Sequence, residues 1–400
     1  MDKQISMSYV EEIPCRIMRG GTSKGLFFLE EDLPEDEKLR NKYLLQIMGS
    51  PDVNQIDGLG GSKSVTSKVA IIGRSKRDDA DVDYSFRQVS VDKAFVSKAG
   101  NCGNITSAVG PFAIECGMVD VHEPVTEVRI YNTNTDKVIV ANIACANGHV
   151  VYDGDYAIAG VPGTASPIKL RFLNPMGTLQ KYDKDPTGLL PTGNCIDTLE
   201  ISKLGQIHIS IVDATNPLVF VYAGELGMTG KESAAEIDGN NELLMLLEMI
   251  RGKAAVLLGL CKDWEEAALV TPGIPKLAIM SEPKDFTSSS GQLIKKTEMD
   301  ITGRMMSMQK THQAYALTGS MCTVASAVIP GTITNNLLGG VPENRKVRIA
   351  HPGGVLEVGV DFTVDLNSRV KINETYGFRT AKLLMSGVTY YRHPGRREKD

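Results

Sequence analysis

The chain has 400 residues, of which 42% are hydrophobic and 23% are charged. This length exceeds the ~250–300 residues at which a single core stops growing, so we expect two domains. The composition is typical of a folded globular protein and excludes disordered and collagen-like chains. A formal net charge of −5 without a basic stripe argues against nucleic acid as a partner.

The N-terminus has no apolar signal segment, and no run approaches the ~18 apolar residues that a membrane span needs. We therefore expect a cytoplasmic protein with no membrane partner. The seven cysteines and six histidines are widely dispersed. They form no C-x-x-C, H-x-x-x-H or H-E-x-x-H spacing, so we predict neither a disulfide framework nor a metal site.

The first distinctive segment is a glycine-rich loop that follows an apolar N-terminal strand. Its glycines allow close approach of a ligand, and its polar side chains offer hydrogen-bond donors suited to a carboxylate. A tight hairpin turn is the alternative interpretation. The candidate substrate-binding residues of this loop are Arg19, Gly20, Gly21, Thr22 and Ser23.

A surface helix is predicted next, between Pro34 and Gly49, because Leu39, Tyr43 and Ile47 recur at four-residue spacing. The following segment, residues 57–68, is rich in glycine but lacks the spacing of a phosphate-binding loop. We predict no nucleotide site there.

Lys68 stands at the edge of an apolar strand, directly after Ser67. Partial burial of a lysine lowers its pKa toward the range of a general base, so Lys68 is a candidate catalytic residue and Ser67 a candidate substrate-binding residue. A solvated surface lysine is the alternative.

Cys102 lies at the start of a predicted helix over residues 100–117. Free N–H groups and the helix dipole stabilise a thiolate at that place. A small buried residue is the alternative for a free cysteine. The neighbouring candidates for substrate binding, which open the helix end to a ligand, are Asn101, Gly103 and Asn104.

Later segments predict antiparallel strands and two more helices. Alternating apolar residues between 125 and 158 are typical of hairpins, whereas residues 240–260 are apolar almost all round and predict a well-buried helix. A helix over 318–332 repeats the Ser-Ala-Val-x-Pro pattern of residues 107–111 at one constant offset, which places Met321 opposite Cys102. Its matching substrate-binding candidates are Gly319, Ser320 and Met321.

Together these segments resemble the PrpF family of methylaconitate and methylitaconate isomerases, which are related by fold to diaminopimelate epimerase. The segments that carry the resemblance are residues 19–25 (RGGTSKG), 57–68, 100–111, 319–332 and the turn that begins at His351. The resemblance implies an α+β fold of two similar epimerase-like domains, each a β-barrel-like sheet around a central helix. We place the domains at 1–187 and 188–400, with the last strand returning to the first domain.

The resemblance also implies an active site in the cleft between the domains. There Lys68 and Cys102 act as acid and base on a small di- or tricarboxylic acid, without a cofactor. His351 is a further candidate for substrate binding, or a residue that only bends the chain. A homo-oligomer and functional pairing with an aconitase-type enzyme are further expectations.

Three other functions stay open at this point. They are a keto–enol tautomerase of an oxalomesaconate-like acid, an amino-acid racemase, and a non-catalytic accessory protein of an aconitase-type enzyme. A racemase of this type uses two opposed cysteines, and Met321 in place of the second thiol disfavours it.

Overall fold

The computed structural model describes residues 10–98, 102–179 and 187–393. Most of its strands belong to one continuous network of hydrogen-bonded pairs. Up to residue 179 the elements are β1 (Val10–Gly20), β2 (Ser23–Leu29), α1 (Glu37–Met48), β3 (Lys68–Arg74), β4 (Val82–Val89), β5 (Val96–Ser97), α2 (Gly103–Glu115), β6 (Val125–Asn132), β7 (Lys137–Ala146), β8 (His149–Val150) and β9 (Ile168–Leu173).

From residue 187 onward the helices are fewer than the strands, as in the first part. These elements are β10 (Asp197–Ile201), β11 (Gly205–Ala214), β12 (Asn216–Tyr222), α3 (Ala234–Asp238), α4 (Asn241–Leu257), α5 (Ala267–Val270), β13 (Lys276–Ser281), β14 (Phe286–Thr287), β15 (Leu293–Ile294), β16 (Ile301–Ser307), β17 (Lys310–Thr311), α6 (Leu317–Ala327), α7 (Ile333–Leu337), β18 (Lys346–His351), β19 (Gly354–Val364), β20 (Val370–Arg379) and β21 (Ala381–Arg392).

Two helices, α2 and α6, each lie inside a wall of strands. Helix α2 contacts β1, β2, β3, β6 and β7, and helix α6 contacts β11, β12, β18, β19 and β20. Both helices are rich in Ala, Val, Ser and Gly, and every described residue of α6 is buried. Small side chains let the strands approach the helix closely from all sides, which explains their abundance in these segments.

The two parts of the chain are joined by strand pairing. β9 pairs with β20 in antiparallel register, and β21 runs antiparallel to β1 from Val10 to Gly20. The boundary near residue 187 stays a prediction. Among the helices of the described residues, none is both long and apolar enough to span a bilayer.

Local sequence signals explain the ends of α1. Asp36 accepts a hydrogen bond from the backbone N–H of Leu39, and Gly49 adopts the left-handed conformation that ends a helix. Of the residues at four-residue spacing, Tyr43 and Ile47 are buried and Leu39 is 37% exposed, while Leu44 is buried beside them.

Two expectations about helices are wrong. Helix α4 is not buried all round, since it covers the sheet with one face and leaves Met245 65% exposed. Met321 does not stand opposite Cys102 at a helix start, because α6 begins at Leu317 and Met321 lies one turn inside it. Counted from the helix starts, Ala316 is the residue that matches Cys102.

Candidate active site

Lys68 is the first residue of β3 and is buried, with 9% of its surface exposed. Its Nζ donates a 2.6 Å hydrogen bond to Oε1 of Gln88 on the neighbouring strand and lies 5.1 Å from the centre of the Phe86 ring. Gln88 in turn donates from Nε2 to the backbone oxygens of Ser64 and Ser67. The ammonium is therefore held in one position by a neutral partner.

Ser67 is fully buried and accepts a 2.8 Å hydrogen bond at Oγ from Nε2 of Gln55. Gln55 also receives the backbone N–H of Ser62 at its Oε1. In this arrangement Ser67 fixes the glycine-rich segment that leads into β3. Its role as a direct contact of substrate stays a prediction.

Cys102 is the N-cap residue of α2 and is partly exposed. Its backbone oxygen accepts from the N–H and from the hydroxyl of Thr106, while its side chain makes no capping hydrogen bond. The first turns of α2 and α6 touch here, since a β-carbon on Gly103 would lie 2.9 Å from Cβ of Leu317. Two helix N-termini, each of which favours negative charge, thus meet beside the thiol.

The loop between β1 and β2 packs against the start of α2. A β-carbon on Gly20 would lie 2.4 Å from the backbone oxygen of Asn104, and Gly21 has a positive φ of 51°. Nδ2 of Asn104 donates a 3.0 Å hydrogen bond to Oγ1 of Thr22. The structure therefore brings together Gly20, Gly21, Thr22, Gly103 and Asn104, and their contact with substrate stays a prediction.

Lys68 approaches the same helix start through β2. Gly25 pairs with Lys68, and a β-carbon on Gly25 would lie 2.7 Å from the backbone oxygen of Lys68 and 3.2 Å from Cδ1 of Ile105. Only a glycine between them leaves room for this approach. The strand that presents the lysine and the helix that presents the thiol are thereby packed together.

A small cavity adjoins the loop. It is lined by Thr22, Tyr156, Tyr315, His351 and Arg379, among others. Arg379, the last residue of β20, is 5% exposed, and its Nε donates a 3.1 Å hydrogen bond to Oδ1 of Asn104. Burial lowers the pKa of Arg379 to about 10. In the part of the chain that the structure describes, Arg379 forms no ion pair with an acidic residue. A buried guanidinium of this kind that faces a cavity is suited to bind a carboxylate.

The cavity does include one carboxylate, at its edge. Glu357 is exposed and its Oε1 lies 2.9 Å from Nζ of Lys346 in an ion pair. Its charge is therefore directed to a surface partner and not to Arg379.

Two histidines near this cavity are neutral. Burial lowers the pKa of His351 to about 3, helped by the charge of Arg379, and burial lowers that of His312 to about 4, helped by Lys276 and Lys68. In each ring Nδ1 accepts a backbone N–H at 3.1 Å, from Gly353 and Ala314 respectively. The remaining proton of each ring is then on Nε2, which can donate to a ligand.

The side chains of the other predicted residues contact neighbouring parts of the protein. Arg19 donates from Nη1 to the backbone oxygens of Gly21 and Thr380, so it holds the loop against the turn before β21. The hydroxyl of Ser320 donates to the backbone oxygen of Leu317, and Met321 is fully buried against Gly377.

Three more residues are predicted to bind substrate: Ser23, Gly319 and Asn101. Ser23 is buried at the start of β2, and Gly319 is packed against Met305 and Leu218. Asn101 lies outside the described residues. A direct contact of any of them with substrate stays a prediction.

Sequence reasoning missed Arg379, His312 and Lys276. Arg379 carries no local motif, since it reaches the site through the pairing of β20 with β9, which is far away in sequence. His312 follows the short hairpin of β16 and β17 and carries no motif either. Lys276 did carry a signal: residues 276–279 read Lys-Leu-Ala-Ile, close to Lys-Val-Ala-Ile at 68–71. The pKa of Lys276 is lowered to about 8, mainly by burial and also by the charge of Lys68, while Cys102 acts in the opposite direction.

Comparisons with known proteins show the family to which the sequence is similar. The family model described as PrpF protein matches residues 10–392. A 3-methylitaconate isomerase from Eubacterium barkeri is 45% identical over 96% of this chain and 98% of the relative. A 2-methyl-aconitate isomerase from Shewanella oneidensis is 39% identical over 94% of this chain and 96% of the relative.

Solved structures support the fold. The crystal structure of a methylitaconate-delta-isomerase is 45% identical in sequence and has a TM-score of 0.79. The match covers 95% of this chain and 96% of the isomerase chain. A hydroxyproline epimerase from Agrobacterium vitis, 13% identical, covers 96% of this chain and 94% of its own with a TM-score of 0.55, which shows a shared fold. The predicted family, the epimerase-like α+β fold and the isomerase class are confirmed.

Proposed function

Because the chain belongs to the PrpF family, we propose that it is a cofactor-independent isomerase of a small di- or tricarboxylic acid. It moves a carbon–carbon double bond by 1,3-proton transfer, in a substrate of the 2-methylaconitate or 3-methylitaconate type. The observation that carries the proposal is the packing of the Lys68 strand against the helix start that presents Cys102.

Lys68 and Cys102 supply two unlike groups for the two halves of the reaction. One of them removes a proton from the carbon γ to a carboxylate, and the C–H electron pair then spreads over the conjugated carboxylate. The other group delivers a proton at the far end of the allyl system. Unlike groups suit a reaction in which the proton leaves one carbon and returns to another.

The substrate carboxylates are held by the neighbouring donors. The guanidinium of Arg379 and the hydroxyl of Thr22 line the small cavity beside Asn104. His351 is neutral there, and its Nε2 offers a further donor. Carboxylate charge that builds up during proton transfer is also met by the N-termini of α2 and α6.

The substrate class also suggests where the enzyme works and with which other enzyme. We propose a cytoplasmic enzyme that works beside an aconitase-type enzyme, since both act on small polycarboxylic acids. Self-association into a homo-oligomer is part of the same proposal. The same proposal includes two domains, at 1–187 and 188–400, with the active site in the cleft between them.

Proton NMR in heavy water tests the function directly. The purified protein is incubated separately with 2-methylaconitate, 3-methylitaconate and the cis and trans forms of aconitate, and in a parallel sample with 4-oxalomesaconate. We expect deuterium at the α or γ carbon together with movement of the double bond in at least one acid. Exchange and tautomer formation only with 4-oxalomesaconate would assign the tautomerase function, and no exchange with any acid would contradict an isomerase.

A further inference from the structure

The two parts of the chain repeat one pattern of strand pairing. In the first part, β2 runs parallel to β3, β3 antiparallel to β4, and β4 parallel to β6. In the second part, β12 runs parallel to β13, β13 antiparallel to β16, and β16 parallel to β18. Helix α2 follows β5 and helix α6 follows β17 in the same places of the two patterns. Strand β13 is thus the counterpart of β3.

Lys276 occupies in β13 the position that Lys68 occupies in β3. Each lysine is the first residue of its strand, and each pairs with the third residue of the preceding parallel strand, Leu218 for Lys276 and Gly25 for Lys68. This correspondence does not depend on the constant sequence offset of the two helices. It follows from the register in which β13 pairs with β12 and β3 pairs with β2.

The two lysines also project to corresponding faces. Ala70 and Ile72, two and four residues after Lys68, pack in the core around α2, and Ala278 and Met280 pack in the core around α6. Because side chains alternate along a strand, Lys276 points to the α6 face of its sheet, as Lys68 points to the α2 face.

The start of β13 lies near the N-terminus of α6. Strand β12 begins next to Thr215, whose hydroxyl donates a 2.6 Å hydrogen bond to the backbone oxygen of Thr318 in the first turn of α6. Since β13 runs parallel to β12, its first residue is at that same end. Lys276 therefore approaches the meeting point of the two helices from the wall opposite Lys68.

Among the described residues, no carboxylate pairs with Lys276. The side chains whose charges act on its pKa are Lys68, Cys102 and Arg251, and none of them is a carboxylate. Its Nζ donates only a long hydrogen bond, 3.5 Å, to the backbone oxygen of Gly273 among the described residues. A partly buried ammonium near a second lysine and without a carboxylate is stabilised when an anionic ligand binds.

We propose that Lys276 is a further catalytic residue, which binds the substrate carboxylate that takes up negative charge when the γ proton leaves. This inference rests on the proposed isomerase function. The base removes the proton, the C–H electron pair moves into the conjugated carboxylate, and the Lys276 ammonium faces the charged oxygens. The proton is then returned at the α carbon, and Lys276 keeps its own protons throughout.

Substitution of Lys276 tests this role. In Lys276→Met we expect kcat to fall about 10²–10³-fold, the usual effect of removing one group that stabilises an oxyanion. Deuterium exchange at the γ carbon and movement of the double bond should fall together, because both pass through the same charged intermediate. Lys276→Arg keeps the charge and should recover activity to within about tenfold of wild type. Wild-type kcat in Lys276→Met, or an arginine variant as inactive as the methionine variant, would overturn the proposal.

A binding measurement separates this inference from the proposed function. Tricarballylate is a saturated tricarboxylate with no double bond to move, and its Kd can be measured by calorimetry whatever reaction the enzyme catalyses. We expect Lys276→Met to weaken its binding at least tenfold. Equal binding by wild type and variant would overturn the role of Lys276, whereas absence of turnover in wild type that still binds tricarballylate would contradict only the isomerase.

Folding controls complete the test. Circular dichroism and thermal unfolding of each variant are compared with those of Lys371→Met, which removes an exposed lysine of β20 far from the described site. Lys371→Met should match wild type in all assays. If Lys276→Met unfolds, Lys276→Gln provides the neutral variant, and the same outcomes apply to it.

Discussion

At the scale of single residues, Lys68 and Cys102 are held by different means. Lys68 is fixed through its side chain, by the hydrogen bond to Gln88. Cys102 is fixed through its backbone as the N-cap of α2, and its thiol makes no capping hydrogen bond. An ammonium needs a partner when it is buried, but a thiol does not. The two groups can thus differ in mobility while they serve one substrate.

His351 leads to a prediction about stability and pH. Its pKa in the folded protein is lowered to about 3 from an ordinary value of 6.5, first by burial and then by Arg379. The folded state therefore binds this proton less readily than the unfolded state, so stability is full above pH 6.5 and is lost as the pH falls. Between pH 7 and pH 5 the loss from this one residue is about 2 kcal/mol.

The measurement is chemical unfolding at pH 7 and pH 5. In His351→Asn, whose side-chain oxygen can still accept the Gly353 N–H, the loss of unfolding free energy on acidification should be smaller by about 2 kcal/mol. His149→Asn changes an exposed histidine and should leave the loss unchanged. An equal loss in wild type and His351→Asn would contradict the burial of a neutral His351.

Residues of the site differ in how far the sequence could predict them. Cys102 and Lys68 carry local signals, since one begins a small-residue helix and the other begins an apolar strand. Arg379 lies 275 residues from Asn104, the partner of its Nε. No local pattern marks such a residue, because its burial and its partner exist only after the strands have paired.

At the scale of elements, the loop between β1 and β2 is fitted to the first turn of α2 without spare room. A β-carbon on Gly20 would lie 2.4 Å from the backbone oxygen of Asn104, and backbone atoms of a buried helix cannot move away cheaply. We predict that Gly20→Ala lowers the free energy of unfolding by about 1–3 kcal/mol. It should also reduce turnover, because it displaces Thr22 and Asn104.

Gly224→Ala is the matched control. Nothing lies within 4 Å of a β-carbon at that position, and its φ is not in the left-handed region. Its unfolding free energy should stay within about 0.5 kcal/mol of wild type. Chemical unfolding of both variants checks this, and equal stability of Gly20→Ala and wild type would contradict the close packing of the loop on the helix.

The ends of α1 and the starts of α2 and α6 lie close to the predicted positions, since capping residues and small-residue runs are local signals. The burial of α4 was not predictable in the same way. Its sequence is apolar on several faces, yet the sheet covers only one of them and leaves Met245 and Leu257 exposed. Which face of a helix is covered depends on the rest of the fold.

At the scale of the whole molecule, the pattern of strand pairing occurs twice and the two helix starts meet. The sequence indicates the repetition only faintly. Its Ser-Ala-Val-x-Pro match falls inside α2 but runs past the end of α6, whereas the true correspondence of Lys68 and Lys276 follows from strand register. Register is set by pairing between distant segments, so the structure is needed to see it.

The most direct test of the account compares Lys68→Met and Cys102→Ser by proton NMR in heavy water, with the acid that wild type isomerises. Both variants should lose movement of the double bond. The variant that lacks the group that delivers the proton should still exchange the γ proton for deuterium. The variant that lacks the group that removes the γ proton should exchange nothing. Isomerisation at the wild-type rate by either folded variant would contradict the claim that these two unlike groups carry the proton.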